Sequence, residues 1–163
     1  MVDADGKPVT DADFPGKFLL VYFGHTHCAD QCPTALTAIV EAIGAAANAV
    51  QPIFITVDPE RDRGPMLRQF TAAFDPRIVG LTGSPEQVAA AAKALHIDYA
   101  KVFASDDDYV IDHSANLSII PPDRRTAETV ALTEPYQIAA KLIDALTRAG
   151  IPLADVNNLP AWR

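Results

Sequence analysis

The chain has 163 residues, 49% hydrophobic and 21% charged, with a net charge of −8. That size and balance fit a single folded domain with a real core, and the acidity argues against a nucleic-acid phosphate backbone as the main partner. A cationic protein or a metal cation suits it better, and neither a run of the roughly 18 apolar residues a bilayer requires nor a basic-then-apolar leader stands in it. Any membrane association is therefore expected only through an N-terminal anchor outside this chain.

The stretch "KFLLVYFG" reads as a buried strand, a short apolar run ended by glycine. Past the two cysteines, Pro33 suits a first helical turn, and Leu36, Ile39, Val40 and Ile43 follow at the spacing of one helical face. "QPIFITV" is a second buried strand that runs into the charged turn Asp58, Pro59, Glu60, Arg61 and Asp62. "GPMLRQFTAAF" is expected to be helical and "PRIVGL" to be a short strand. Ser84, Pro85 and Gln87 form a helix start, with a cap, a proline in the first turn and a capping-box partner. Val88, Ala91, Ala92 and Leu95 give that helix its apolar face.

"DYAKVFAS" and "ANLSIIPP" read as strands, separated by the acidic segment Asp106, Asp107 and Asp108. "ETVAL" is a further strand. Ile138, Ala139, Leu142, Ile143 and Leu146 mark a last amphipathic helix that ends near Gly150, and the tail "IPLADVNNLPAWR" is expected to be irregular. Alternating strands and helices predict an α/β sheet with helices on both faces. A cysteine pair between the first main strand and its helix stands where a thioredoxin-like fold keeps its redox site.

Cys28 and Cys32 are the only cysteines, too few for a disulfide framework, and a bridge between them would close a loop too small to restrain the unfolded chain much. The helical register turns Cys32 inward, four residues before Leu36, and leaves Cys28 more exposed ahead of the helix. Unpaired N–H groups at a helix start stabilise a thiolate, so at least one thiol is expected to be acidic, Cys28 being the reactive one. Positions i and i+4 on a helix differ by about 6 Å of rise, so the two sulfurs can converge on one ion or on each other. Two thiolates suit Cu(I) or Zn but need a third donor.

Of the four histidines, His113 in "DYVIDHSANLSII" is the best candidate for that donor, on a loop before a strand and flanked by the polar Asp112 and Ser114. On spacing alone a surface or hydrogen-bonding histidine is the plainer reading. His25 and His27 alternate in direction if the strand continues, so one can line the pocket while the other packs or faces solvent. His96, near a helix end, suits a helix-dipole or solvent role. The turn at Asp58 to Asp62 reads first as a capped turn with internal ion pairs, and the triple aspartate as a solvated loop without calcium-loop spacing.

"YFGHTHCADQCP", "FITVDPERD", "IVGLTGSPEQV" and "DYVIDHSA" occur in the order seen in the Sco/SenC copper-chaperone family, and the chain resembles that family from about Lys17 to Ile120. The resemblance implies a thioredoxin-like fold with a central mixed sheet. It implies copper bound through two cysteines and one histidine, which fall on Cys28, Cys32 and His113. It also implies work on the oxidising side of a membrane, periplasmic or anchored to face the periplasm. The partner would be the copper-site subunit of cytochrome c oxidase or another copper chaperone, met by a monomer. Four departures stand out. Ala29 replaces a usual proline, His25 a usual aromatic or aliphatic residue and "PPDRRTAET" the common "DPDG"-type turn, and the final irregular tail is atypical. His25 is open to adding a ligand, or to tuning or relaying copper.

Two main functions compete. In copper delivery, Cu(I) is held by Cys28, Cys32 and His113, and Cu(II) by the same set with an extra donor. In thiol–disulfide exchange, Cys28 attacks a target disulfide and Cys32 resolves the mixed disulfide, with no need for His113. A peroxidase is a third reading.

Overall fold

A computed structural model describes residues 1–28, 31–44, 48–103, 105, 108–131 and 135–151, apart from the side chains of 135 and 136. The elements are β1 (Val2–Asp3), β2 (Phe18–Gly24), α1 (Gln31–Ile43), β3 (Val50–Thr56), α2 (Gly64–Ala72), β4 (Val79–Thr82) and α3 (Pro85–Ala94). After them come β5 (Tyr99–Phe103), β6 (Tyr109–His113), β7 (Asn116–Ile120), β8 (Glu128–Ala131) and α4 (Pro135–Arg148). Ala29, Asp106, Asp107, Leu132 and the tail from Pro152 lie outside the described residues.

Six strands form one sheet in the order β1-β4-β3-β2-β7-β8. β2, β3 and β4 run parallel, whereas β7 pairs antiparallel with β2 and β8 antiparallel with β7. This is the mixed sheet of a thioredoxin-like fold. β2 is central and every one of its residues is buried, which explains its unbroken apolar run. Its pleat divides the core. Phe18, Leu20 and Tyr22 pack with Leu36, Ile39, Ile43, Ile138 and Leu142 of α1 and α4. Leu19, Val21 and Phe23 pack on the other face with Ala92 and Ile97, at and beyond α3, and with Ile111 of β6.

The expected helix start at Ser84 is present as a capping box with Gln87. Gly150, at φ +68°, supplies the left-handed residue past α4. In the "PPDRRTAET" segment, the Arg124 guanidinium donates to the carbonyls of Lys17 (2.8 Å), Phe14 (2.8 Å), Asp11 (3.1 Å) and Pro121 (3.1 Å). That turn is therefore fastened to the entry of β2.

One expectation is corrected. The segment before "ANLSII" is not a loop but a strand, β6, which pairs antiparallel with β5 in a separate two-stranded sheet. Ile111 and His113 are buried while Val110 and Asp112 are exposed, the period-2 alternation of a half-buried strand. The neighbouring aspartates disguised a run that is strand by its own pattern.

Tyr109 ties this hairpin to the turn after β3. Its hydroxyl donates to Asp58 Oδ1 at 2.8 Å, and its ring lies 3.9 Å from Arg61 Cζ and 4.5 Å from Lys101 Nζ. Arg61 also bonds Asp58 and donates to the Tyr109 carbonyl at 3.2 Å, while Lys101 pairs with Glu60 at 2.7 Å. The internal ion pairs expected of this turn are thus present, and they serve the hairpin. Tyr109→Phe removes the donor to a fully buried carboxylate. It should cost about 1–3 kcal/mol in urea unfolding and speed hydrogen exchange in β5 and β6 more than in β2.

Candidate metal centre

The carboxyl end of β2 delivers two residues to one face of the sheet, Tyr22 and Gly24. A Cβ at Gly24 would stand 2.8 Å from Cys32 Sγ and 2.9 Å from the Phe54 ring. Glycine is needed here because a buried sulfur occupies the space a side chain would take. The chain then turns, with the Val57 amide donating to the Gly24 carbonyl at 2.8 Å and the Cys28 amide to the His25 carbonyl at 3.4 Å.

Cys32 enters at the start of α1 and is fully buried, whereas Cys28 is half-buried; both are thiols. The Cys32 amide donates to Cys28 Sγ at 3.4 Å, so the first turn of the helix points an N–H at that sulfur. Cys32 Sγ accepts from the Tyr22 hydroxyl at 3.8 Å and from the His25 backbone amide, and stands 3.7 Å from His113 Nε2. Burial above all, with the hydrogen bond to Cys28, pushes the Cys32 thiol up to about 12, against the His25 amide. The inward thiol is therefore the opposite of acidic. Burial, and then the Cys32 sulfur, raises the Tyr22 hydroxyl as well.

His113 arrives from β6 and is buried. Its Nδ1 lies 3.3 Å from the Ser114 carbonyl oxygen, which can only accept. Nδ1 therefore carries the ring proton, and the Nε2 lone pair faces Cys32. Of the two polar neighbours expected at His113, Ser114 meets the ring through its carbonyl and Asp112 does not. Asp112 points outward along the strand, and the ring meets Tyr22 edge-on at 6.2 Å and His25 at 5.8 Å between centroids.

His25 and His27 do part, but strand alternation is not the reason: β2 ends at Gly24, residues two apart on a strand would share a face, and the turn after β2 separates them. His25 is 6% exposed, and its Nδ1 has no hydrogen-bond partner among the described residues. Burial, and then the neighbouring His113, lowers its pKa. His27 is exposed, with Nδ1 3.4 Å from Asp62 Oδ1 and 3.2 Å from Thr26 Oγ1. His96 is exposed beyond α3, at φ +55°.

Sequence reasoning missed Tyr22, and for Asp62 preferred a capped turn over a border of the metal site. The buried Asp62 carboxylate accepts from the Thr26 amide (2.8 Å), the Thr26 hydroxyl (2.5 Å) and the Thr56 hydroxyl (2.7 Å), and so holds the segment leading to Cys28. Only the position of Asp62 at the carboxyl end of a strand hinted at this. Among the described residues, no three His, Cys, Asp or Glu side chains are already closed around a point that would hold an ion. Cys28, Cys32 and His113 instead stand side by side. Two sulfurs and an imidazole with its lone pair turned inward are a donor set fitted to a soft cation.

A family model described as SCO1/SenC matches residues 1–148. The chain is 42% identical over 129 residues to the mouse (Mus musculus) protein named SCO2 homolog, mitochondrial, covering 76% of this chain and 51% of that one. It thus spans about half the length of that curated relative. A copper-bound crystal structure of Arabidopsis thaliana ScoI superposes with a TM-score of 0.80 at 31% identity, over 90% of this chain and 94% of that one. BsSco, described as having a disulfide switch and as a member of the Sco family of cytochrome c oxidase assembly proteins, gives 0.66 at 25% identity, over 90% of each chain.

The Cys32 thiol contributes to the alkaline pH response of the reduced, metal-free protein. The fold holds its proton to about 12 against an ordinary 9.0, so above 9.0 the unfolded chain binds fewer protons than the folded one. This contribution is full below pH 9.0 and is lost as pH rises toward about 12. Urea unfolding across that range should show stability falling with pH, and Cys32→Ala should flatten the slope.

Proposed function

The chain belongs to the SCO1/SenC family, and we propose that it is a metallochaperone whose cargo is copper, held by the Cys28 and Cys32 thiolates and the His113 imidazole. The observation that carries this reading is the 3.7 Å approach of His113 Nε2 to Cys32 Sγ, with Cys28 Sγ on the amide of Cys32. Soft sulfur donors with one imidazole match Cu(I), and the copper-bound ScoI structure supports the same cargo.

The residues divide the work by burial. Cys32, beneath Gly24 and bonded by Tyr22, is the fixed donor. Cys28, half-buried, is the donor an incoming partner thiolate reaches first, so transfer proceeds by exchange at Cys28 and release from Cys32 last. The Ser114 carbonyl keeps His113 in the tautomer that offers Nε2. Each thiol must lose its proton to bind, so loading releases protons and tightens as pH rises. The recipient is the dinuclear copper site of cytochrome c oxidase or another copper chaperone, served by one thioredoxin-like domain acting as a monomer that faces the periplasm. No helix among the described residues is long and apolar enough to cross a membrane.

A second reading has its own observation. The helix-start amide on Cys28 Sγ favours the thiolate there. As a nucleophile, Cys28 attacks a target disulfide and expels one target thiolate; Cys32 then attacks Cys28 and expels the other. The target gains two electrons, and Cys28 and Cys32 end as a disulfide. BsSco, with its disulfide switch, supports this use of the pair.

One variant separates the two roles. His113→Ala should weaken Cu(I) binding by more than the roughly 10–100-fold that outer-shell partners contribute, measured by chelator competition. It should leave the rate of disulfide reduction by metal-free protein nearly unchanged. Unaltered Cu(I) affinity would sink the three-donor site, and a metal-free parent that turns over no disulfide would sink the second reading.

A further inference from the structure

The motif "GHTHC" places a histidine in the core that neither the two-sulfur, one-imidazole set nor the packing uses. His25 is 6% exposed, yet its Nδ1 has no hydrogen-bond partner among the described residues. A buried polar atom left unsatisfied is costly, and histidine is a poor choice where an apolar ring would fill the same space. Its surroundings give it a direction. The His25 ring meets His113 nearly perpendicular, 83° between planes and 5.8 Å between centroids. Its backbone amide donates to Cys32 Sγ. The residue therefore touches two of the three proposed donors, by main chain and by ring.

His27 offers no such choice, because its ring is taken up by Asp62 and Thr26 at the surface. The geometry points to His25 as a second imidazole donor that completes a four-donor set for Cu(II): Cys28 Sγ, Cys32 Sγ, His113 Nε2 and His25 Nδ1. This inference rests on the copper-binding reading above.

The two oxidation states would use the set differently. Cu(I) is satisfied by soft sulfur with few ligands, whereas Cu(II) prefers four-donor, nitrogen-containing tetragonal geometry. A second buried imidazole therefore stabilises the oxidised ion more than the reduced one. It lets the chain keep Cu(II) in a site whose sulfur donors alone would favour Cu(I). No bond is made or broken in the protein beyond metal–ligand exchange.

The test counts nitrogens. Reduced protein is loaded with one equivalent of Cu(II), and nitrogen hyperfine coupling is read by electron paramagnetic resonance, with and without 15N-labelled histidine. The parent should show two coordinated imidazoles. His25→Phe, which keeps a packed ring and removes the nitrogen, should show one. The ratio of Cu(II) to Cu(I) affinity should fall in that variant by at least the roughly 10–100-fold that outer-shell partners contribute. A parent with one imidazole, or a His25→Phe variant that retains the parent spectrum and ratio, overturns the inference. Should the variant fail to fold, the labelled parent decides by itself. His113→Ala separates this inference from the one beneath it. If that variant binds copper as the parent does, the three-donor reading has failed. If it loses copper while His25→Phe changes nothing, only the role of His25 has failed.

Discussion

A single sulfur atom in a space meant for a Cβ organises the working end of this molecule. Cys32 Sγ lies where a side chain on Gly24 would have to go, and that close approach fixes the first turn of α1 against the end of β2. Close packing makes the arrangement rigid, because the atoms around the sulfur have nowhere to relax. Tyr22 from the strand, the His25 amide from the turn and His113 from the hairpin then all address the same atom. The fold thus spends a buried position on a thiol, and desolvation keeps that thiol protonated until a soft cation displaces the proton.

The asymmetry between the two cysteines follows from the same placement. Four residues earlier on the chain, Cys28 is half-buried and bonded by the Cys32 amide. A fixed inner donor and an accessible outer one are what ligand exchange needs, and also what thiol–disulfide exchange needs. The copper and redox readings are therefore two uses of one gradient of burial, separated by whether His113 takes part.

Support for the site comes from beyond it. Asp62, buried in the turn after β3, holds the Thr26 segment through two hydrogen bonds and ties it to Thr56 through a third. Asp58, in the same turn, holds Tyr109 at the start of β6, and His113 stands at the other end of that strand. One charged turn thereby positions both the cysteine motif and the hairpin that brings the histidine. Acidic residues that read as a capped turn with internal ion pairs act as buried acceptors because the groups around them are donors: hydroxyls, amides and a guanidinium.

Much of the fold was legible in the residues because its signals are local. The unbroken apolar run of β2, the i, i+3, i+4 face of α1 and the capping box at Ser84 each depend on neighbours within a few positions. The inward register of Cys32 could be read in the same way, from its distance to Leu36. The β6 strand was readable in principle, since Ile111 and His113 alternate with Val110 and Asp112, but the adjoining aspartates masked it. What the sequence could not determine is convergence. That His113 Nε2 faces Cys32 and that His25 turns its ring to His113 depend on how a separate hairpin docks on the sheet, and that Asp62 rises under Thr26 depends on how the turns after β2 and β3 meet. The contact of His113 with Cys32 joins residues 81 positions apart, and only long-range packing sets such distances.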